Sequence, residues 1–81
     1  MSDISDNMSD SLAHLARNLK YYRAQFDLTQ VELAQRSGVN RSYLASIESA
    51  TQPNTTLKTV EKLAAALGVT VIDFLQPADN R

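Results

Sequence analysis

The chain has no cysteine, one histidine, two glycines and two prolines among its 81 residues, and these shortages exclude several kinds of protein at once. Without cysteine there is no disulfide and no thiolate metal site. His14 has no second histidine and no cysteine to complete a metal or catalytic centre, so it reads as a surface or edge residue. Two glycines cannot build a glycine-rich phosphate loop, and no nucleophile-base pair or paired carboxylates in an apolar cleft can be assembled. Enzymatic activity, a cofactor, a metal and a small-molecule ligand are therefore not expected. No apolar run approaches the ~20 residues of a membrane span, and the acidic N-terminus does not resemble a signal peptide. A cytoplasmic protein without membrane association is expected. On that basis the triplets Asn40-Arg41-Ser42 and Asn54-Thr55-Thr56 carry no glycosylation meaning.

What the chain does contain is helical periodicity. Its length suits one domain, divided into a polar, aperiodic leader over 1–10 that is expected to be disordered, a folded domain over 11–76 and a tail over 77–81. A first helix is expected from Asp10 or Ser11 to about Gln25, burying Leu12, Leu15, Leu19, Tyr22 and Phe26 as one stripe. Thr29-Gln30-Val31-Glu32 is a capping box opening a second helix. After the loop 50–56, Thr55 or Thr56 caps a fourth helix from Leu57 to about Leu67. Its apolar face is Leu57, Val60, Leu63, Ala64 and Leu67, and Gly68 ends it. A short last helix, Thr70 to about Leu75, stops before Pro77. The expected fold class is all-α: a compact bundle of about five helices containing a helix-turn-helix.

The central stretch, 30–49, carries that motif. Leu33, Ala34 and Ser37 lie on one side of a helix, Gly38 can take the positive φ of a helix-ending residue, Val39 plugs the core and Asn40 caps the next helix. With Leu44 and Ile47 turned inward, Arg41, Ser42, Ala45, Ser46 and Ser49 are left outward. A helix of nine residues, roughly 13 Å long, fits across the ~12 Å major groove of DNA. There Arg41 can give two hydrogen bonds to a guanine edge, Ser42 and Ser46 can bond either base partner, and Ala45 can touch a thymine methyl. Tyr43 can reach phosphate through its hydroxyl or pack partly into the core beside Ile47, with equal weight on each. Thr29 and Gln30, at the start of the second helix, can present backbone N–H groups and the positive dipole end to a phosphate.

As a set, Thr29-Gln30, Leu33-Ala34, Gly38-Val39, Leu44 and Ile47-Glu48 resemble the helix-turn-helix of the lambda-repressor-like family, also called xenobiotic-response-element type. Leu15, Leu19 and Arg23 match that family's first helix, and 57–69 its fourth. Ala50 stands where the family usually has glycine after the recognition helix, and the loop 51–55 is about a residue longer than the commonest form. The resemblance implies sequence-specific binding to a double-stranded DNA operator by a transcriptional regulator, a repressor rather than an activator. It also implies DNA contacts at Gln30, Arg41, Ser42 and Ser46. A different class within the same family is an antitoxin or partner-binding module, whose main surface meets another protein.

The net charge of −1 conceals an uneven distribution. Within 11–47 there are five cations, Arg17, Lys20, Arg23, Arg36 and Arg41, against two anions, Asp27 and Glu32, so a modest phosphate-attracting face is expected, with Lys20 and Arg23 as its candidates. Arg23 has a competing place, since its position lets it pair with Glu48 and hold the first helix against the third. Val71, Phe74 and Leu75, more apolar surface than a short chain can cover, are the candidate interface of a homodimer.

Overall fold

Five helices account for the regular structure of the computed structural model, which describes the backbone of residues 4–52 and 55–77 and the side chains of 12–52 and 55–77. They are α1 (Ile4–Gln25), α2 (Gln30–Ser37), α3 (Arg41–Glu48), α4 (Leu57–Leu67) and α5 (Val71–Leu75). Their principal packing closes a ring: α1 lies on α3, α3 on α2, α2 on α4, α4 on α5, and α5 returns to α1. The all-α bundle expected from periodicity is the one that forms.

Each of the helices α2 to α5 begins with a side chain that satisfies backbone donors the helix leaves over. Thr29 Oγ1 accepts from Glu32 N–H (3.1 Å) while Glu32 Oε1 accepts from Thr29 N–H (2.8 Å), the capping box read in the sequence. Asn40 Oδ1 accepts from the N–H groups of Ser42 and Tyr43. Thr56, not Thr55, caps α4 through Thr59 N–H. A second capping box, Thr70 with Asp73, opens α5. The residues flanking the two boxes, Leu28 with Leu33 and Val69 with Phe74, stand at hydrophobic-staple positions and belong to or pack against the buried cluster.

The helix ends share a device that composition hides. In α1, α3 and α4 the chain reverses through paired bonds of the Schellman type: Leu28 N–H to Arg23 O and Asp27 N–H to Ala24 O, Thr51 N–H to Ser46 O and Ala50 N–H to Ile47 O, and Val69 N–H to Ala64 O and Gly68 N–H to Ala65 O. Each reversal needs one residue in the left-handed region. Gly68 supplies it after α4, but Asp27 (φ 56°) and Ala50 (φ 59°) supply it after α1 and α3. Ala50 holds there the conformation for which glycine is the low-strain choice.

Several expectations are corrected. Helix α1 starts at Ile4, so the residues 4–10 of the expected leader continue the helix; extending an existing helix costs far less than nucleating one. Residues 1–3 of the leader and 78–81 of the tail lie outside the described residues. Phe26 is 53% exposed, because the reversal at Asp27 swings the chain and delivers Leu28 to the core in its place. Leu57 is also exposed: helical side chains tilt toward the N-terminus, which points a first-turn residue past the end of its own helix. Phe74, expected at an interface, is wholly buried with Leu19, Leu33, Leu44 and Leu63.

Candidate nucleic-acid interface

Residues of α3 divide as their spacing requires. Leu44 and Ile47 are buried, Arg41 and Ser42 are exposed, and Ala45 and Ser46 are half-buried on the outer side. The Ser46 hydroxyl donates to Tyr43 O (2.6 Å) and accepts from Gln52 Nε2 (3.2 Å), so a loop residue absent from the expected site is laid against the outer face of α3. Ser49 and Thr51 close the same end of the helix: both hydroxyls lie within reach of Ser46 O and of each other. Tyr43 is half-buried and packs against the core cluster.

The one carboxylate of α3, Glu48, is withdrawn from this face. It is 4% exposed and accepts three bonds, from Arg23 Nε (2.7 Å), Arg23 Nη2 (2.9 Å) and Gln30 Nε2 (3.0 Å). The third Arg23 nitrogen, Nη1, donates to Leu28 O (2.9 Å), while Arg23 O accepts from Leu28 N–H. One guanidinium therefore ties α1, the α1–α2 turn and α3 together in the fork geometry that arginine provides. The hydrogen bond to Glu48 holds the Arg23 pKa above its ordinary value, against the opposing effect of partial burial. Each of the three Arg23 nitrogens thus has a partner inside the protein, which weighs against the phosphate assignment of this residue. Its competing place beside Glu48 is the one it occupies.

At the start of α2 the capping box satisfies the N–H groups of Thr29 and Glu32 and leaves those of Gln30 and Val31 without a protein partner. The same box holds the Glu32 carboxyl below its ordinary range, first through the Thr29 backbone N–H and then through the Thr29 side chain. Lys20 is exposed on α1. No ion pair other than Arg23–Glu48 is present among the described residues. Neither is any cluster of three or more metal-ligating side chains, nor any helix long and apolar enough to cross a membrane.

Asn18 is not among the residues that the motif singles out. It is 0% exposed, and its amide nitrogen donates to Phe74 O (2.7 Å) and Gln76 O (2.6 Å). The signal was present: Asn18 interrupts the stripe Leu15, Leu19, Tyr22 at a core-facing position, and a buried amide must find partners. Of the three interface candidates, Phe74 is core, Val71 packs against the core, and Leu75 remains 44% exposed beside Ile72 at 66%.

Known proteins share the fold and much of the sequence. The sequence profile of a family described as helix-turn-helix matches residues 19–74. A hypothetical transcription factor of Neisseria meningitidis serogroup B is 38% identical over 72 residues, covering 89% of this chain and 67% of the relative. The crystal structure of a hypothetical transcription factor from Neisseria superposes with a TM-score of 0.84 over 89% of this chain and 80% of that one. The transcriptional regulator SinR of Bacillus subtilis is 39% identical over 61 residues, 75% of this chain and 55% of SinR. The crystal structure of SinR in complex with DNA superposes with a TM-score of 0.73 at 37% identity, over 76% of this chain and 98% of that one. This chain thus spans between about half and two thirds of these curated relatives.

Proposed function

Since this chain belongs to the lambda-repressor-like helix-turn-helix family, we propose that it is a cytoplasmic transcriptional regulator, a repressor rather than an activator, that binds a double-stranded DNA operator as a homodimer. The observation that carries this reading is the charge of α3. Its one anion is buried and neutralised by Arg23, so the face it shows to solvent has Arg41 as its single charge. A helix of eight residues, about 12 Å long, with a cation and small polar groups outward, suits the major groove.

In this reading Arg41 reads a guanine through two hydrogen bonds, with Ser42, Ala45 and Ser46 beside it. The N–H groups of Gln30 and Val31 at the positive end of α2, the Thr29 edge, Lys20 and the Tyr43 hydroxyl meet phosphate. Leu75 and Ile72, with Val71 at the edge, replace Phe74 in the dimer contact. Two recognition helices related by a dyad then sit about 34 Å apart and read inverted half-sites about one turn apart.

Selection of bound sequences from random duplexes, followed by salt titration of variants, tests the assignment. Arg41→Ala is expected to lose about 1–3 kcal/mol on the selected site and its preference at one base pair of each half-site, with a smaller loss on scrambled DNA. Lys20→Ala is expected to weaken both DNAs alike and to flatten the slope of log affinity against log salt by about one unit. Equal losses on both DNAs for Arg41→Ala would mean that this residue positions the protein and that specificity lies elsewhere.

A further inference from the structure

We infer that Asn18 is a positioning residue: by holding α5 at a set rotation on α1, it fixes the angle at which Ile72 and Leu75 meet a second copy of this chain, and so sets the spacing between the two DNA half-sites. The inference rests on the dimeric reading above.

A helix of five residues cannot hold its own shape in water. Its geometry comes from what grips it. Phe74 sinks into the core and meets the ring of Tyr22 at 6.0 Å, and Val69 and Val71 pack against the same cluster at the start of the helix; these contacts fix the depth of α5 but leave its C-terminal turn some freedom to rotate. The two short bonds from Asn18 to the carbonyls of Phe74 and Gln76 remove this freedom, because they fix the direction of the last turn. Rotating a helix of about 5 Å outer radius by 30° moves its surface side chains by about 3 Å, enough to dissolve the packing of two apolar residues against their copies.

Ile72 and Leu75 lie one turn apart on the side of α5 away from Phe74. The α5 carboxylate, Asp73, accepts from the N–H of Thr70, so its charge is turned onto its own helix start. The exposed pair is thus an apolar surface that an identical copy can meet across a two-fold axis without opposing like charges. Asn18 and Tyr22 share one face of α1, and Arg23, next in the chain, grips α3 through Glu48. The same rod therefore orients both the recognition helix and the dimer contact.

The test compares wild type with Asn18→Leu, which keeps the γ-branched shape, though with bulkier methyl ends, and removes the donors. Sedimentation gives the dimer dissociation constant, and binding is measured on a single half-site and on inverted half-sites with the selected spacer or a spacer one base pair longer or shorter. Asn18→Leu is expected to bind the single half-site within about twofold of wild type while its dimer dissociation constant rises about tenfold, or about 1.4 kcal/mol, and its discrimination among spacers is lost. Parallel loss on the single half-site would show a merely structural role and overturn the inference. So would a dimer constant and spacer preference unchanged from a dimeric wild type. A wild type that is monomeric and protects one isolated half-site at full affinity would instead overturn the dimeric reading, and this inference with it. Asn18→Asp supplies an independent arm if the leucine variant does not fold: at neutral pH its carboxylate opposes two carbonyls, and on acidification a protonated carboxyl regains one donor. Dimerisation that strengthens with falling pH, relative to wild type, supports the assignment; a parallel pH response of the two proteins overturns it.

Discussion

Helix α1 holds its neighbours with two polar side chains five positions apart in sequence, and the two work by different physics. Arg23 is charged, partly open to solvent and shared among three elements, and its partner Glu48 is nearly sealed. Asn18 is neutral and wholly buried, and its amide nitrogen donates to the carbonyl of Phe74 in α5 and to that of Gln76 just after it. A buried carboxylate without its guanidinium is an uncompensated charge, whereas a carbonyl without its amide is only an unpaired dipole. The clamp beside α3 is therefore stiff and intolerant, and the clamp on α5 weaker and directional. Rigidity is concentrated where a helix would present side chains to DNA.

Removing one partner of the stiff clamp should give the largest effect. Arg23→Ala is expected to cost about 3–5 kcal/mol of folding stability, against about 1–3 kcal/mol for Asn18→Leu, both measured by urea unfolding. Arg23→Met combined with Glu48→Leu removes both charges together and is expected to recover most of the loss. If Arg23→Ala melts no earlier than Asn18→Leu, the ranking of the two clamps is wrong.

A smaller, opposite change sharpens the contrast at the end of α3, two residues beyond Glu48. Ala50 sits at φ 59° in a reversal that α4 makes with Gly68 at φ 70°. Ala50→Gly relieves left-handed strain of about 1–2 kcal/mol and returns part of it as unfolded-state entropy. Its expected result is a net gain of about 0.5–1 kcal/mol in thermal or urea unfolding. A loss would mean that the alanine methyl contributes packing that outweighs the strain.

The smallest effect lies at the surface, where the capping box of α2 fixes the turn that Arg23 also holds. The folded-state pKa of Glu32 is depressed by its Thr29 hydrogen bonds, so the unfolded chain binds more protons in that interval and stability rises with pH there. The contribution is complete above the ordinary carboxylate range and disappears as pH falls through the depressed folded value. The difference in melting temperature between wild type and Glu32→Gln is accordingly expected to narrow on acidification. A gap that is constant down to the acid limit would remove this carboxylate from the account.

Local features were legible in the sequence because their causes are local. The Thr29–Glu32 box, the positive φ of Gly38, the Asn40 cap and the inward Leu44 and Ile47 each follow from residues within one or two turns. The outward Arg41 and Ser42 follow from the same spacing. For Arg23 the sequence leaves both phosphate and Glu48 open, since a cation near the end of α1 suits either; three-dimensional proximity sets it beside Glu48. What escaped depends on distant chain. The Asn18 partners lie 56 and 58 residues away, and Phe74 takes the space that periodicity left open. Phe26 and Leu57 are periodic but stand at helix ends, where the next turn of chain, not the stripe, determines burial.

The great sequence distance spanned by Asn18 also bears on the order in which the molecule assembles. Contacts between α1 and α5 close a loop of nearly the entire described chain, and loop closure must be met before such contacts return any free energy. The α2–α3 pair, joined through Gly38 and Asn40, can form from neighbouring residues without waiting for it. A five-residue helix joined late and held at one face is the natural first unit to open again, with amide hydrogens that exchange faster than those of α3. The surface proposed to recruit a second copy would then be the last part of each protomer to be made and the first to be lost.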